Sequence, residues 1–130
     1  MIDSENLESL FSAIRRNTEA LLRKPSVPLG LADPPRTPGV YALSWDGNIQ
    51  YVGEAKGRGG LRDRLLNKHI SGDDSHAIQR AFMDAFPDRG ERRLHIIESV
   101  EARWIDVPLE QVSATERAVI WLLNPAHNRA

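Results

Sequence analysis

The stretch Gly39-Val40-Tyr41-Ala42-Leu43-Ser44-Trp45-Asp46-Gly47-Asn48-Ile49-Gln50-Tyr51-Val52-Gly53 decides the fold. Two runs rich in β-branched and aromatic residues flank Asp46-Gly47-Asn48, a strong hairpin signal. Loop length then sets the register. A two-residue Asp-Gly turn pairs Trp45 with Asn48 and sends Tyr41 and Tyr51 to opposite faces. A three-residue loop pairs Trp45 with Ile49 and gathers Tyr41, Leu43, Trp45, Ile49 and Tyr51 on one face. The three-residue loop is the expected one.

Downstream of the hairpin, glycines 57, 59 and 60 mark a flexible connection into a helix of about Leu61 to Ile70, with Leu61, Leu65 and Leu66 on its buried side. Ser71-Gly72 ends that helix. Asp74 or Ser75 can cap a second one running to about Ala85, with Ile78, Ala81, Phe82 and Ala85 inward and Pro87 as its stop. Residues 92–100 fit neither the helical nor the strand period. Ala102 to Val107 alternates as a strand does, and a last helix of about Ser113 to Leu123 carries Ala114, Ala118, Trp121 and Leu122 along one side. Upstream, Leu7, Leu10, Phe11, Ile14, Leu21 and Leu22 follow helical spacing. The chain thus divides into an N-terminal amphipathic helix (1–24), a proline-rich linker (25–38) and a domain over 39–130. The element order α, β, β, α, α, β, α implies an α+β fold around a small sheet.

Composition narrows the function classes. A chain of 130 residues with 41% hydrophobic and 27% charged residues is suited to one compact domain. With no cysteine, disulfides and thiolate metal sites are excluded, so any metal must take oxygen or imidazole ligands. No apolar run approaches the roughly 20 residues of a membrane span, and the N-terminus lacks a signal pattern, so a cytoplasmic location is the default expectation. The net charge of −1 sits badly with nucleic-acid binding, but cations gather between Lys56 and Arg93: Lys56, Arg58, Arg62, Arg64, Lys68, Arg80, Arg89, Arg92 and Arg93.

Four local patterns fall in a row: Gly39-Val40-Tyr41, Tyr51-Val52-Gly53, Leu61-x-x-Arg64-Leu65, and Glu116 with Pro125 and Asn128 behind it. Their order and spacing resemble the GIY-YIG nuclease superfamily over roughly residues 37–130. The resemblance implies a three-stranded mixed or antiparallel sheet flanked by helices. It further implies hydrolysis of DNA phosphodiester bonds, leaving a 5′-phosphate and a 3′-hydroxyl, with one divalent cation, Mg²⁺ or Mn²⁺, on the helical glutamate. By the same resemblance Tyr41 and Tyr51 are the motif tyrosines, Arg64 the helix arginine, Glu116 the metal ligand and Asn128 the terminal asparagine.

Each of these residue types suits the chemistry. Phosphodiester cleavage must activate water, neutralise charge growing on the phosphoryl oxygens and assist a departing alkoxide. A hard divalent cation prefers oxygen and keeps several waters, so one glutamate can hold it. A guanidinium offers a planar fork to two phosphate oxygens. A tyrosine, with an ordinary pKa near ~10, acts as a base only if a cation or a second phenol helps it lose its proton. Lys56, Arg58, Arg62 and Lys68 are candidate substrate contacts, and His69 joins the candidate catalytic group.

Alternatives stand beside these assignments. Ser113-x-x-Glu116 is also a capping box, which would consume Glu116 at its own helix start. Arg62 rivals Arg64, because Arg58-Gly59-Gly60 lengthens the approach to that helix. Glu54 stands where the family often has lysine, and a carboxylate there would repel phosphate. A tyrosine or histidine is often found four residues past the arginine; here that place is Lys68, with His69 about 100° further round. His69 and His76 could be general acids, phosphate contacts or surface residues. Glu54 and the low net charge motivate a second reading, a catalytically inactive nucleic-acid-binding or regulatory module. A third makes the N-terminal helix a docking element for a homodimer or a protein partner.

Overall fold

The computed structural model describes residues 3–70 and 77–128, with the backbone alone at 68–70. Helix α1 (Ser4–Arg23) starts where the Asp3 carboxylate accepts a hydrogen bond from the Glu5 amide at 2.9 Å. Strand β1 (Val27–Pro28) and a 3-10 turn (Leu29–Leu31) lead to the hairpin strands β2 (Gly39–Trp45) and β3 (Asn48–Ala55). Helix α2 (Gly60–Arg62) runs on as π-helical turns over Asp63–Ile70. Then come α3 (Ala77–Phe82), α4 (Arg89–Ser99), β4 (Glu101–Asp106), α5 (Leu109–Leu123) and a 3-10 turn (Ala126–Asn128).

The sheet is antiparallel throughout, in the order β1-β4-β2-β3. It has four strands where three were expected. The added strand comes from the proline-rich segment, where Val27 pairs with Ala102 and Pro28 with Glu101. Proline is admissible there because β1 is an edge strand whose outer side needs no donor. Leu29 then plugs the sheet edge, fully buried, with its amide donating to Val100 O at 2.8 Å.

The hairpin differs from expectation in a way that preserves its consequence. The turn has two residues, with Trp45 paired to Asn48 and positive φ at both Asp46 (55°) and Gly47 (80°). These are the angles of the type I′ turn that matches strand twist. Alone, this register would put the two tyrosines on opposite faces. A bulge corrects it: Ser44 pairs with Ile49 but Leu43 pairs with Tyr51, leaving Gln50 as the extra residue. The Gln50 side chain ties the bulge to the turn by donating to Trp45 O at 3.2 Å. Tyr41, Leu43 and Tyr51 therefore share a face, while Ile49 turns to the other one.

Both sheet faces are covered. On one, Tyr41, Leu43, Trp45 and Ala55 pack with Leu61, Leu65, Ile78, Phe82 and Ile96 of α2 to α4. On the other, Val40, Ala42, Val52 and Ile105 pack with Leu21 of α1 and with Val112 and Val119 of α5. Helix α5 starts a turn earlier than its sequence suggests, so its inward row is Val112, Thr115 and Val119; Trp121 is 84% exposed. The ambiguous 92–100 segment is helical, capped by Asp88, whose carboxylate accepts from the Glu91 amide at 2.9 Å. Its buried face is Arg92 with Ile96, and a charged residue in an inward position masks the period.

Helix α3 ends at Phe82, so Ala85 lies outside it and is exposed. The expected caps at Asp74 and Ser75, the break at Ser71-Gly72 and His76 lie outside the described residues. The second half of α1 is docked through Ala13, Leu21 and Asn17, whose amide donates to Gln111 Oε1 (3.0 Å) and Thr115 Oγ1 (3.1 Å) on α5. Its first half, with Leu7, Leu10 and Phe11, is exposed. Among the described residues, no helix is long and apolar enough to cross a membrane.

Candidate active site

The site lies at the outer edge of β3, where the two helical layers meet. Tyr41 is fully buried, and its ring extends across Gly53, its cross-strand partner. A Cβ on Gly53 would fall inside van der Waals contact of Tyr41 Oη and Cζ. The second motif's glycine is thus the floor over which the first motif's phenol lies. Gly53→Ala should cost about 1–3 kcal/mol of stability by overpacking, read as a lower denaturant midpoint. A variant with the wild-type midpoint would contradict this close approach.

Tyr51 is half-buried, with its ring centroid 6.4 Å from that of Tyr41 and the planes tilted by 46°. The two phenols are hydrogen-bonded, and Arg64 hydrogen-bonds Tyr41. Arg64 is aimed there by the start of its helix, where the Leu61 and Arg62 amides donate to Thr37 O and Pro35 O, both at 2.9 Å. The π-helical turns then begin one residue before it, a feature frequent at functional sites. Arg64 Nε is buried with no hydrogen-bond partner among the described residues. Arg62 points elsewhere: its guanidinium holds Asp33 Oδ1 at 2.6 Å and Pro34 O at 3.3 Å.

Glu116 enters from α5. It is the eighth residue of a helix that begins at Leu109 after Pro108, so neither Ser113 nor Glu116 caps anything. Burial, then the Glu54 carboxylate, push the Glu116 carboxyl up to about 7, against the pull of Arg117, Lys56 and Arg64. Burial likewise raises both phenols; Tyr51 and Glu116 push Tyr41 further up, and Arg64 pulls both phenols down. Arg80 on α3 also pulls on Tyr51. Four side chains, from β2, β3, the π-helical turns that follow α2, and α5, thus share one electrostatic environment.

Asn128 holds the strand beside this group. Its amide clamps one backbone residue of β3, accepting from Val52 N at 2.7 Å and donating to Val52 O at 2.8 Å. Asn124, in the left-handed region at φ 47°, ends α5 and turns the chain so that the last 3-10 turn reaches the strand. This pairing satisfies the open edge of β3 between Tyr51 and Gly53.

Sequence reasoning missed the surroundings of Lys56. Its ammonium donates to Ser113 Oγ at 2.9 Å and lies 3.4 Å from Glu54 Oε1, while Ser113 Oγ donates to Glu54 Oε2 at 3.0 Å. The basic stripe is also thinner than the sequence suggests, because Arg92 is buried and Arg62 is paired with Asp33. Arg58 is exposed, and the side chains of Lys68 and His69 lie outside the described residues.

The donor set fits a hard divalent cation. No group of three or more His, Asp or Glu side chains occurs among the described residues. Mg²⁺-like ions need only one or two carboxylates, with waters and substrate phosphate completing the shell. Glu116 is a half-buried carboxylate with a second carboxylate as neighbour, a surplus of negative charge that such a cation would relieve.

No family model matches the sequence, and no curated protein matches it. Among solved structures, it is similar to the GIY-YIG N-terminal endonuclease domain of UvrC from Thermotoga maritima. One form of that domain, a tyrosine-to-phenylalanine mutant bound to its catalytic divalent cation, is 24% identical with a TM-score of 0.51. A second such mutant, also cation-bound, is 23% identical with the same TM-score of 0.51. Each alignment covers 78% of this chain and 91% of the other. The similarity extends to the α+β layout, the antiparallel sheet and its flanking helices, and the fold of this chain is the GIY-YIG fold.

Proposed function

We propose that the chain is a divalent-metal-dependent endonuclease that hydrolyses DNA phosphodiester bonds. What carries the reading is the meeting of Tyr41, Tyr51, Arg64 and Glu116, four residues from separate elements, around one edge of the sheet. The similar UvrC domain, described as an endonuclease with a catalytic divalent cation, supports it. In this reading residues 39–130 carry the chemistry, with the helix of 1–24 and the segment 25–38 buttressing the sheet.

Glu116 would hold Mg²⁺ or Mn²⁺, which when bound supplies Lewis-acid polarisation of the phosphate. Arg64 presents its guanidinium to the phosphoryl oxygens as negative charge grows on them. Both phenols carry raised pKa values and remain neutral near pH 7. Tyr51, the more accessible one, therefore accepts a hydrogen bond from the attacking water and orients it. Tyr41, bonded to both Arg64 and Tyr51, fixes the Tyr51 hydroxyl for that contact, and the proton lost by the attacking water passes to solvent while the phenol keeps its own. Asn128 holds the intervening backbone in place. Supercoiled plasmid incubated with Mg²⁺ or Mn²⁺ should be nicked and then linearised, and EDTA should stop both steps. Persistent binding without a cut, over branched, damaged and intact duplexes, would favour a non-catalytic module.

A further inference from the structure

Glu54 occupies a place where a negative charge ought to hinder a DNA-cutting site, yet it is half-buried and each of its oxygens has a partner in the chain. Lys56, Glu54 and Ser113 close a triangle between the end of β3 and α5, with sides of 2.9, 3.0 and 3.4 Å. Ser113 lies three residues before Glu116, so the two side chains are neighbours on the helix surface. The triangle is therefore part of the rim of the site.

Stability does not explain it. Side-chain exposures of 47% for Lys56 and 27% for Glu54 make this a rim ion pair, close to neutral for folding once lysine ordering is counted. What the triangle does achieve is to give a flexible four-carbon side chain one location. An ammonium has three N–H donors. Ser113 takes one in a hydrogen bond and the Glu54 carboxylate faces the ammonium at 3.4 Å, which leaves a donor for an oxygen outside the protein.

We infer that Glu54 and Ser113 are positioning residues that hold the Lys56 ammonium ready for a backbone phosphate of the substrate beside the Glu116 site. This rests on the endonuclease reading and deepens it. A carboxylate that merely faced the DNA would repel it, whereas one spent on tethering Lys56 supports binding. The two views predict opposite signs for the same substitution.

The test uses the full chain and a short duplex DNA, with equilibrium binding in EDTA over a salt series, and kcat and KM in Mg²⁺. Lys56→Ala should reduce the slope of log affinity against log salt by about one and raise KM. Glu54→Gln and Ser113→Ala should each weaken equilibrium DNA binding in EDTA, and raise KM, about threefold to tenfold, as expected when a charge-assisted contact is loosened rather than deleted. Added to Lys56→Ala, Glu54→Gln should cost nothing further, because its target is gone. Tighter DNA binding by Glu54→Gln alone, or an unchanged salt slope in Lys56→Ala, overturns the inference. A wild-type protein that cuts DNA while those results appear keeps the endonuclease reading; one that neither binds nor cuts loses both.

Discussion

Arg64→Ala should lower the single-turnover cleavage rate by about 10²–10³ while leaving the fold intact, the range seen when one preorganised transition-state donor is removed. Two observations set that expectation. The guanidinium is held between the helix start and Tyr41, and its Nε is a buried donor without a partner among the described residues. A donor kept dry and unpaired is held ready for a charge that appears only as the reaction proceeds. The change also removes the cation that pulls both phenols down, so the phenols become still harder to ionise. Arg64→Lys should recover only part of the loss, because a point charge cannot reproduce a planar fork. Cleavage by Arg64→Ala within threefold of wild type would eliminate this role for the residue.

Glu116→Gln should abolish metal-dependent cleavage and, without metal, make the protein more stable at pH 8. The opposed signs arise from one cause. Burial and Glu54 raise the folded-state pKa of Glu116 from 4.5 to about 7, so the fold prefers the neutral carboxyl. That contribution to stability is fully present below the unfolded pKa and is lost as pH rises through about 7. In EDTA the wild-type Tm should therefore fall between pH 5 and 8 more steeply than that of Glu116→Gln. A divalent cation should raise the wild-type Tm more at pH 8 than at pH 5.5, because the ligand must be ionised. Thermal melts at the two pH values, with and without Mn²⁺, measure both. Identical melts for the two proteins, or cutting that survives the substitution, would remove Glu116 from the metal site.

The fold was legible wherever one short motif carried its own physical signature. The hairpin around Asp46-Gly47-Asn48 and the alternation in 102–107 each act through local backbone preferences and lie near their places in the structure, whereas the hairpin loop was expected one residue too long and the segment 25–38, read as a linker, adds an edge strand. What escaped depended on distant partners. The bulge at Gln50 has no sequence signal, because its extra residue is identified only when the register with β2 is known. The helix at Arg89–Ser99 hid behind Arg92, a buried arginine that apolar periodicity counts as surface. Ser113 read as a cap because helix starts are judged from flanking residues, and Pro108, five positions earlier, is the real one.

The site divides along the same line. Tyr41, Tyr51, Arg64 and Glu116 are what the resemblance to the family implies, but whether Arg62 or Arg64 faces the phenols is a question of helix phase. Asp33, far upstream, draws Arg62 away, and that is invisible in the local sequence. Glu54 read as a defect because its neighbours across 59 residues of chain, Ser113 among them, come together only in the fold.

The unpaired residue at position 50 makes the tip of the ribbon independent of its base. Between Gln50 and the turn the strands keep one parity, and beyond it they keep the other. A loop lengthened by one residue would reverse which way every following side chain points, unless the surplus were absorbed. Here the place of absorption already exists and lies between the tip and both tyrosines. Lengthening the tip after Gly47 and deleting Gln50 together should return the same arrangement of phenols, so the end of the ribbon that carries both tyrosines is shielded from changes of length at the other.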